Sequence, residues 1–232
     1  MHAVTEGIWT VPSDLRFGGL RLNTRMTVCQ VSEGGLVLIS PVPFRSELET
    51  ALKAIGQVRA IVAPNLLHHL SLGEWMGAFP DAESYGPPGL AAKRTDLKIQ
   101  HVLGSTFDQS FGAELKRLPI HGMPKLNESL FFHRTSRTLI ATDFCFLMPD
   151  AKGMTRLFTK LMGIDKKAKC EPLFRALVRD RPAFLASLAP LRELQIESLS
   201  MCHHSVITNR ASDSLKGVLD QLKVPNQDTN GT

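Results

Sequence analysis

The sequence predicts a mixed α/β (α+β) protein that forms one domain, with sheets in its interior and helices outside them. Short apolar runs bounded by glycine or proline alternate with segments that carry leucine at helical spacing. The 232 residues, of which 43% are hydrophobic and 21% charged, are enough to bury a core without a disulfide or a structural metal. No internal repeat and no linker divides the chain, which favours one domain over two.

The first elements form a strand–helix–strand unit. Residues 26–31 and 36–39 are apolar runs on either side of a glycine-containing turn, which predicts a β-hairpin. Ser46 precedes a helical leucine pattern and is the predicted N-cap of a helix that ends at Gly56. The continuous apolar run 58–63 predicts a strand buried on both faces, and a right-handed crossover would make it parallel to 36–39.

The remaining elements are weaker repetitions of this pattern, followed by a largely helical segment. We expect the domain to span 1–224 and the polar tail 225–232 to be disordered. The predicted elements are a helix at 72–79, strands at 84–85, 99–103, 115–120, 129–133 and 138–143, helical pieces between 154 and 194 broken at Pro172, Pro182 and Pro190, a strand at 196–201 and a helix at 213–222.

The net charge of +5 is concentrated in one segment. Residues 156–181 hold eight basic and three acidic residues, 8 − 3 = +5, so the rest of the chain is neutral. Such an excess can attract an anionic partner, and the alternative is an ordinary solvated helix face. Few aromatic residues lie among these charges, so specific nucleic-acid binding is not expected. The basic residues are Arg156, Lys160, Lys166, Lys167, Lys169, Arg175, Arg179 and Arg181.

Localisation is predicted from the apolar runs, the N-terminus and the cysteines. No run is long enough to span a membrane, and the N-terminus lacks the layout of a secretory signal. The four cysteines are far apart, without a CxxC pair, which is typical of a reducing compartment. We therefore expect a cytoplasmic protein whose cysteines pack as small apolar residues.

Histidines at the ends of predicted strands are the candidate functional residues. His68, His69, His121, His203 and His204 directly follow such strands, and Asp143 ends the most apolar strand of the second half. Imidazoles with one carboxylate are the ligands that zinc, iron or manganese accept. The alternative is that each histidine is a satisfied polar residue and that Asp143 caps the following segment.

This order of residues resembles the metallo-β-lactamase superfamily, and most closely its DUF4336 branch, over nearly the whole chain. The resemblance implies a four-layer αββα sandwich and a metal-dependent hydrolase. Residues 61–70, which include His68 and His69, look like the strand end with the HxHxDH motif, and 119–122 look like the loop that supplies His121. Residues 138–143 look like the strand ending in the metal-bridging aspartate, and 201–204 look like the strand end that supplies the last histidine.

The sequence also departs from the pattern of that superfamily. Residues 64–67 contain no histidine, and Ser40-Pro41 stands where an acidic residue is usual. The resemblance therefore implies one divalent ion (Zn, Mn or Fe) instead of two. The expected substrate is a small-molecule ester, thioester or phosphoester, and the basic segment slightly favours an anionic one. The expected metal ligands are His68, His69, His121, Asp143 and His203, with Asp143 and His121 also in catalytic roles.

Four of these residues, His69, His121, Asp143 and His203, are expected to meet in one cleft. His68 is the member expected to point away, because neighbours on a strand face opposite sides. Two other functions stay open. The protein could keep the fold as a non-catalytic binding module, or Cys202 could act as a nucleophile beside His203, although no third orienting group is apparent in the sequence.

Overall fold

A computed structural model of the protein describes residues 1–170, 172–203 and 206–224. The strands are β1 (His2–Thr5), β2 (Ile8–Ser13), β3 (Arg16–Phe17), β4 (Leu20–Arg21), β5 (Thr24–Val31), β6 (Gly35–Ile39), β7 (Gln57–Val62), β8 (Glu83–Gly86), β9 (His101–Val102), β10 (Leu115–Pro119), β11 (Ser129–His133), β12 (Thr138–Ala141), β13 (Ser198–Met201) and β14 (Val206–Ile207). The helices are α1 (Ser46–Lys53), α2 (Leu72–Ala78), α3 (Leu90–Lys93), α4 (Ser105–Phe111), α5 (Gly153–Met162), α6 (Pro172–Ala176), α7 (Arg181–Leu188) and α8 (Ala211–Leu222), with 3-10 turns at Ser32–Gly34 and Ala189–Glu193.

Within these residues the strands form two main sheets. The first has the order β1-β2-β5-β6-β7-β8-β9 and the second the order β10-β11-β12-β13-β14, while β3 and β4 pair as a separate ribbon. The predicted hairpin is confirmed as the antiparallel pair β5–β6, and the predicted crossover is confirmed because β6 and β7 are parallel. In the second sheet β12 and β13 are also parallel.

Alternation along the strands creates the layers. Val37 and Ile39 of β6 point into a core between the two sheets, where they join Phe131 of β11. Leu36 and Leu38 of the same strand point outward into a core shared with α1, α2 and α3. A third core lies between the outer face of the second sheet and α6, α7 and α8. The result is the predicted four-layer αββα sandwich in one domain.

Several local predictions are wrong in detail. Ser46 is the first residue of α1 and not its N-cap, which is Arg45 without a side-chain hydrogen bond. The strand predicted at 138–143 ends at Ala141, so Asp143 lies in the loop after it. The helical segment after 154 is interrupted where Lys169 pairs with Phe146 as an isolated bridge.

Other features either follow the sequence prediction or lie outside the described residues. The four cysteines are buried, as expected, and none of them forms a disulfide bond. No helix in the described part of the chain is long and apolar enough to cross a membrane. The tail 225–232 and His204 lie outside the described residues.

Candidate metal centre

Four loops converge where strands of both sheets end. Ser40 follows β6, His68 lies in the loop after β7, Asp143 follows β12, and Cys202 and His203 follow β13. Since β6 and β7 are parallel neighbours, and β12 and β13 likewise, the carboxyl ends of each pair lie at one edge of their sheet. This edge is therefore where the two halves of the sandwich bring polar side chains together.

Asp143 is held between two imidazoles. Its Oδ2 lies 3.3 Å from Nε2 of His68, and its Oδ1 lies 3.3 Å from Nε2 of His203. Burial alone would raise the pKa of Asp143, but the two imidazoles hold it well below its usual range. The pKa values of both histidines are raised in turn, since Asp143 and Cys202 outweigh the opposite effect of burial. The group is therefore a buried, charge-paired cluster.

Cys202 contacts the other nitrogen of His68. Its Sγ lies 3.4 Å from Nδ1 of His68 and 3.4 Å from the hydroxyl of Ser40. Although burial raises the pKa of the Cys202 thiol, the neighbouring His68 lowers it to about 6. As a thiol the group donates to the carbonyl oxygen of Arg25, 3.0 Å away, and as a thiolate it accepts from the hydroxyl of Thr24 at 3.3 Å. Both protonation states thus have partners.

The orientation of each imidazole is set by backbone and side-chain contacts. Nδ1–H of His203 donates to the carbonyl oxygen of Asn23 at 2.7 Å, which leaves Nε2 facing Asp143, and Phe146 stacks on the ring at 4.9 Å. The Ser40 hydroxyl lies 2.8 Å from Nδ1 of His68. Ser40 reaches this position from a left-handed backbone conformation (φ 58°), which non-glycine residues seldom adopt.

Asn65 links the loop of His68 to Asp143. Its side-chain oxygen accepts the backbone N–H groups of Leu67 and His68, both at 2.8 Å, so the loop after β7 turns sharply instead of continuing as a strand. Its amide nitrogen donates to Oδ2 of Asp143 at 2.8 Å. Asn65 lies in the stretch that resembles the histidine motif, and it orders this loop through hydrogen bonds.

Glu128 holds the loop that carries Asp143 through hydrogen bonds to its backbone. Its buried carboxylate accepts the backbone N–H groups of Thr142, Asp143 and Phe144, at 3.1–3.2 Å, and the side-chain amide of Asn65 at 3.1 Å. Burial, and then the charge of Asp143, raise the pKa of Glu128 to about 7. Glu128 was not predicted from the sequence, because a single acidic residue before an apolar strand has no spacing that distinguishes it.

The structure brings together His68, Asp143 and His203 from the predicted site. The expectation that His68 would point away is wrong: His68 contacts Asp143, whereas His69 accepts a hydrogen bond on Nδ1 from Arg94 at 3.1 Å. His121 is exposed, and its backbone N–H donates to Ser187. His69 and His121 thus lie outside the described contacts of Asp143, and metal ligation by any of these residues stays a prediction.

The donor atoms nevertheless suit a metal ion. One ligand atom from each of His68, Cys202 and His203 lies within 4.8 Å of the others. Two imidazoles with a thiolate form a borderline-soft donor set of the kind that zinc prefers. From the sequence, Cys202 was expected to pack as a small apolar residue or to act as a nucleophile. Both differ from a ligand role beside His68, because the contact between Cys202 and His68 depends on two loops that are distant in sequence.

Comparison with known proteins agrees with the fold. A family model described as a domain of unknown function, DUF4336, matches residues 5–156. A metallo-β-lactamase from Pontibacter korlensis superposes with a TM-score of 0.61 at 13% identity, over 96% of this chain and 98% of that one. VMB-1 gives 0.65 at 10% identity over 95% and 94%, and the DIM-1 metallo-β-lactamase gives 0.60 at 12% over 95% and 95%. These identities establish a shared fold alone. No curated protein sequence matches the chain.

Proposed function

The chain belongs to the DUF4336 family and has the metallo-β-lactamase fold, and we propose that it is a hydrolase that uses one divalent metal ion. The observation that carries this proposal is the convergence of His68, Cys202 and His203, with ligand atoms within 4.8 Å of one another, beside Asp143. These groups lie at the strand ends where layered α/β folds present their few reactive side chains.

His68, Cys202 and His203 would hold the ion, and the donor set favours zinc. Three protein ligands are typical of a catalytic zinc site with an open position. When bound, such an ion supplies Lewis-acid polarisation of the scissile group and lowers the pKa of a water molecule. The Cys202 pKa of about 6 supports this role, because the thiolate is the ligand form and predominates at neutral pH.

The remaining side chains position the reaction. Asp143 is the hydrogen-bond acceptor that would orient a water molecule, while Asn65 and Glu128 fix the loop that presents it. Phe146 shields one face of His203 from solvent. The substrate we propose is a small ester, thioester or phosphoester. Since none of the four buried cysteines forms a disulfide bond, a cytoplasmic reaction is part of the proposal.

A second candidate function is supported by the same cluster without a metal. Sγ of Cys202 lies 3.4 Å from Nδ1 of His68, and Nε2 of His68 lies 3.3 Å from Asp143. This is the order of nucleophile, base and orienting carboxylate in a thiol hydrolase. The sequence analysis paired Cys202 with His203 and found no third group, whereas the structure offers His68 and Asp143.

Metal analysis tests the first proposal directly. Protein purified without chelator is measured by plasma mass spectrometry and by zinc titration. We expect about one zinc ion per chain in the wild type. The double variant Asp143→Asn with His203→Gln should not bind zinc, and Cys202→Ser should bind it much more weakly. Cys29→Ala is the matched control, since Cys29 is a buried free cysteine in the core between the sheets. Wild-type protein that stays metal-free and fails to bind added zinc or manganese would refute the proposal.

Activity measurements separate the candidates. Hydrolysis of a panel of generic esters, thioesters and phosphoesters is followed with and without a chelator. A metal-dependent hydrolase loses activity with the chelator and regains it with zinc. A thiol hydrolase keeps its activity in the presence of the chelator, and its Cys202→Ser variant is inactive. If the protein binds no metal and hydrolyses no member of the panel, the non-catalytic binding module is the function that agrees with the results.

A further inference from the structure

Helix α5 presents an apolar stripe to solvent. Met154 and Leu157 are each 70% exposed and Leu161 is 78% exposed, at spacings of three and four residues that align them on one face. The opposite face is packed: Thr155 and Thr159 are buried, and Phe158 and Met162 contact the cluster around Phe146 and Met148. No other element of the described chain covers the exposed stripe.

Positive charge borders this stripe. At 100° per residue, Arg156 and Lys160 lie on the helix flank next to the apolar face, and both are exposed. Lys152, Lys166 and Lys167 are exposed just before and after the helix. A helix with apolar and basic faces side by side is typical of segments that lie in the interface of an anionic membrane.

A wide cleft opens beside the same helix. Its volume is about 840 Å³, large enough for a lipid headgroup. Four of its lining residues are basic and two acidic, so it is net positive. The charged lining residues are Lys152, Arg156, Lys160, Lys166, Asp150 and Asp165.

We propose that α5 and its basic border form a peripheral docking surface for a membrane that contains anionic phospholipids. The leucines and the methionine enter the boundary between headgroups and acyl chains, and the basic side chains bind phosphates at its surface. This inference is independent of the proposed hydrolase activity. It also assigns a role to four of the eight basic residues of the segment 156–181, namely Arg156, Lys160, Lys166 and Lys167.

The shape and composition of the surface favour a bilayer over other anionic partners. The three apolar side chains stand out from a convex helix, so a fluid layer can receive them without a complementary groove. The helix flank offers no exposed aromatic residue on which a nucleic-acid base could stack, because Phe158 is turned into the packed face. Binding to a folded protein, such as a second copy of this chain, is a separate outcome that the test below distinguishes.

Vesicle co-sedimentation of the full chain tests the proposal. The vesicles are phosphatidylcholine alone or phosphatidylcholine with phosphatidylserine. We expect binding to the mixed vesicles only, weakened by salt because surface charges are screened. Leu157→Gln with Leu161→Gln should weaken binding at least about 100-fold, since each of the two inserted leucines contributes about tenfold or more. Arg156→Gln with Lys160→Gln should weaken it about 25-fold, at roughly fivefold per charge.

Matched variants control for composition and net charge. Leu70→Gln with Val102→Gln replaces two side chains of similar exposure, 69% and 63%, on other elements. Lys98→Gln with Lys116→Gln removes the same charge elsewhere. Neither control should change binding.

Three results would overturn the proposal. They are equal binding to neutral vesicles, equal losses in control and α5 variants, or no vesicle binding together with a dimer in sedimentation velocity that Leu157→Gln with Leu161→Gln dissociates. The last result would identify the surface as an interface between two copies of the chain.

Discussion

Replacing Asn65 with aspartate tests how the candidate centre is held together. The substitution keeps the shape of the side chain and the oxygen that accepts the N–H groups of Leu67 and His68. It exchanges the donating amide for a carboxylate oxygen that faces Asp143 and Glu128. Asn65→Asp therefore changes only the donor side of the network.

The expected loss of stability follows from the hydrogen bonds of the amide group. Its nitrogen lies 2.8 Å from Asp143, 3.1 Å from Glu128 and 3.1 Å from the Thr142 hydroxyl. An amide has two hydrogens, so at most two full bonds are lost. Hydrogen bonds to charged groups contribute about 1.5–3 kcal/mol each, so we expect the free energy of unfolding to fall by about 3–6 kcal/mol at neutral pH. Repulsion among three buried carboxyl groups adds to this loss.

The pH dependence provides a second signature. The pKa of the new aspartate rises on folding above its unfolded value of about 3.9, because it is buried beside two carboxyl groups. When the pKa of a group is higher in the folded than in the unfolded protein, the group stabilises the folded protein at pH values below the unfolded-state pKa. That contribution is lost as pH rises through the folded-state pKa. The difference in the free energy of unfolding between the wild type and Asn65→Asp should therefore widen from pH 5 toward pH 8, by up to about 1.4 kcal/mol per pH unit.

Urea unfolding of chelator-treated protein, followed by tryptophan fluorescence and circular dichroism, measures this difference. Asn127→Asp is the matched control: it makes the same exchange at a half-buried residue whose hydrogen bond to the carbonyl oxygen of Pro88 is exposed, and it should cost about 1 kcal/mol or less. A loss below about 1 kcal/mol for Asn65→Asp, or a difference that does not change with pH, would refute the reasoning.

Two further predictions concern stability away from the centre. Burial lowers the pKa of His133 below 6.5, and Nε2 of this histidine donates to the carbonyl oxygen of Gln30 in the other sheet at 2.9 Å. The difference in the free energy of unfolding between the wild type and His133→Gln should therefore shrink as pH falls from 7.5 to 5.5, by up to about 1.4 kcal/mol per pH unit, because the other titrating groups are common to both proteins; a difference that stays constant in urea unfolding would contradict this. Gly122 has φ +76°, and an added Cβ would lie 2.1 Å from the carbonyl oxygen of Asp180, so Gly122→Ala should lower the free energy of unfolding by about 2–5 kcal/mol in the same assay. An unchanged midpoint would show that this loop adapts freely.

Local sequence patterns predicted the elements whose signal is local. The hairpin β5–β6, the parallel strand β7 and strand β12 were all recognised from apolar runs and turn residues, because alternation of buried side chains is a property of neighbouring positions. Strands β1 and β2 and helix α4 were missed. The resemblance to a known superfamily supplied the arrangement of two sheets, which periodicity alone does not provide.

The site divided in the same way. The order of residues is enough to place histidines and Asp143 at strand ends, and therefore to predict that polar groups meet at one edge of the sandwich. It is the folding of the loops that brings His68, and not His69, into contact with Asp143 and places Cys202 beside them. The alternation rule failed at His68 because Asn65 bends the chain there into a turn. The side-chain amide of Asn65 also donates to Asp143 and Glu128, which lie more than 60 residues away, and the residues that neighbour Asn65 in the sequence do not reveal such distant hydrogen bonds.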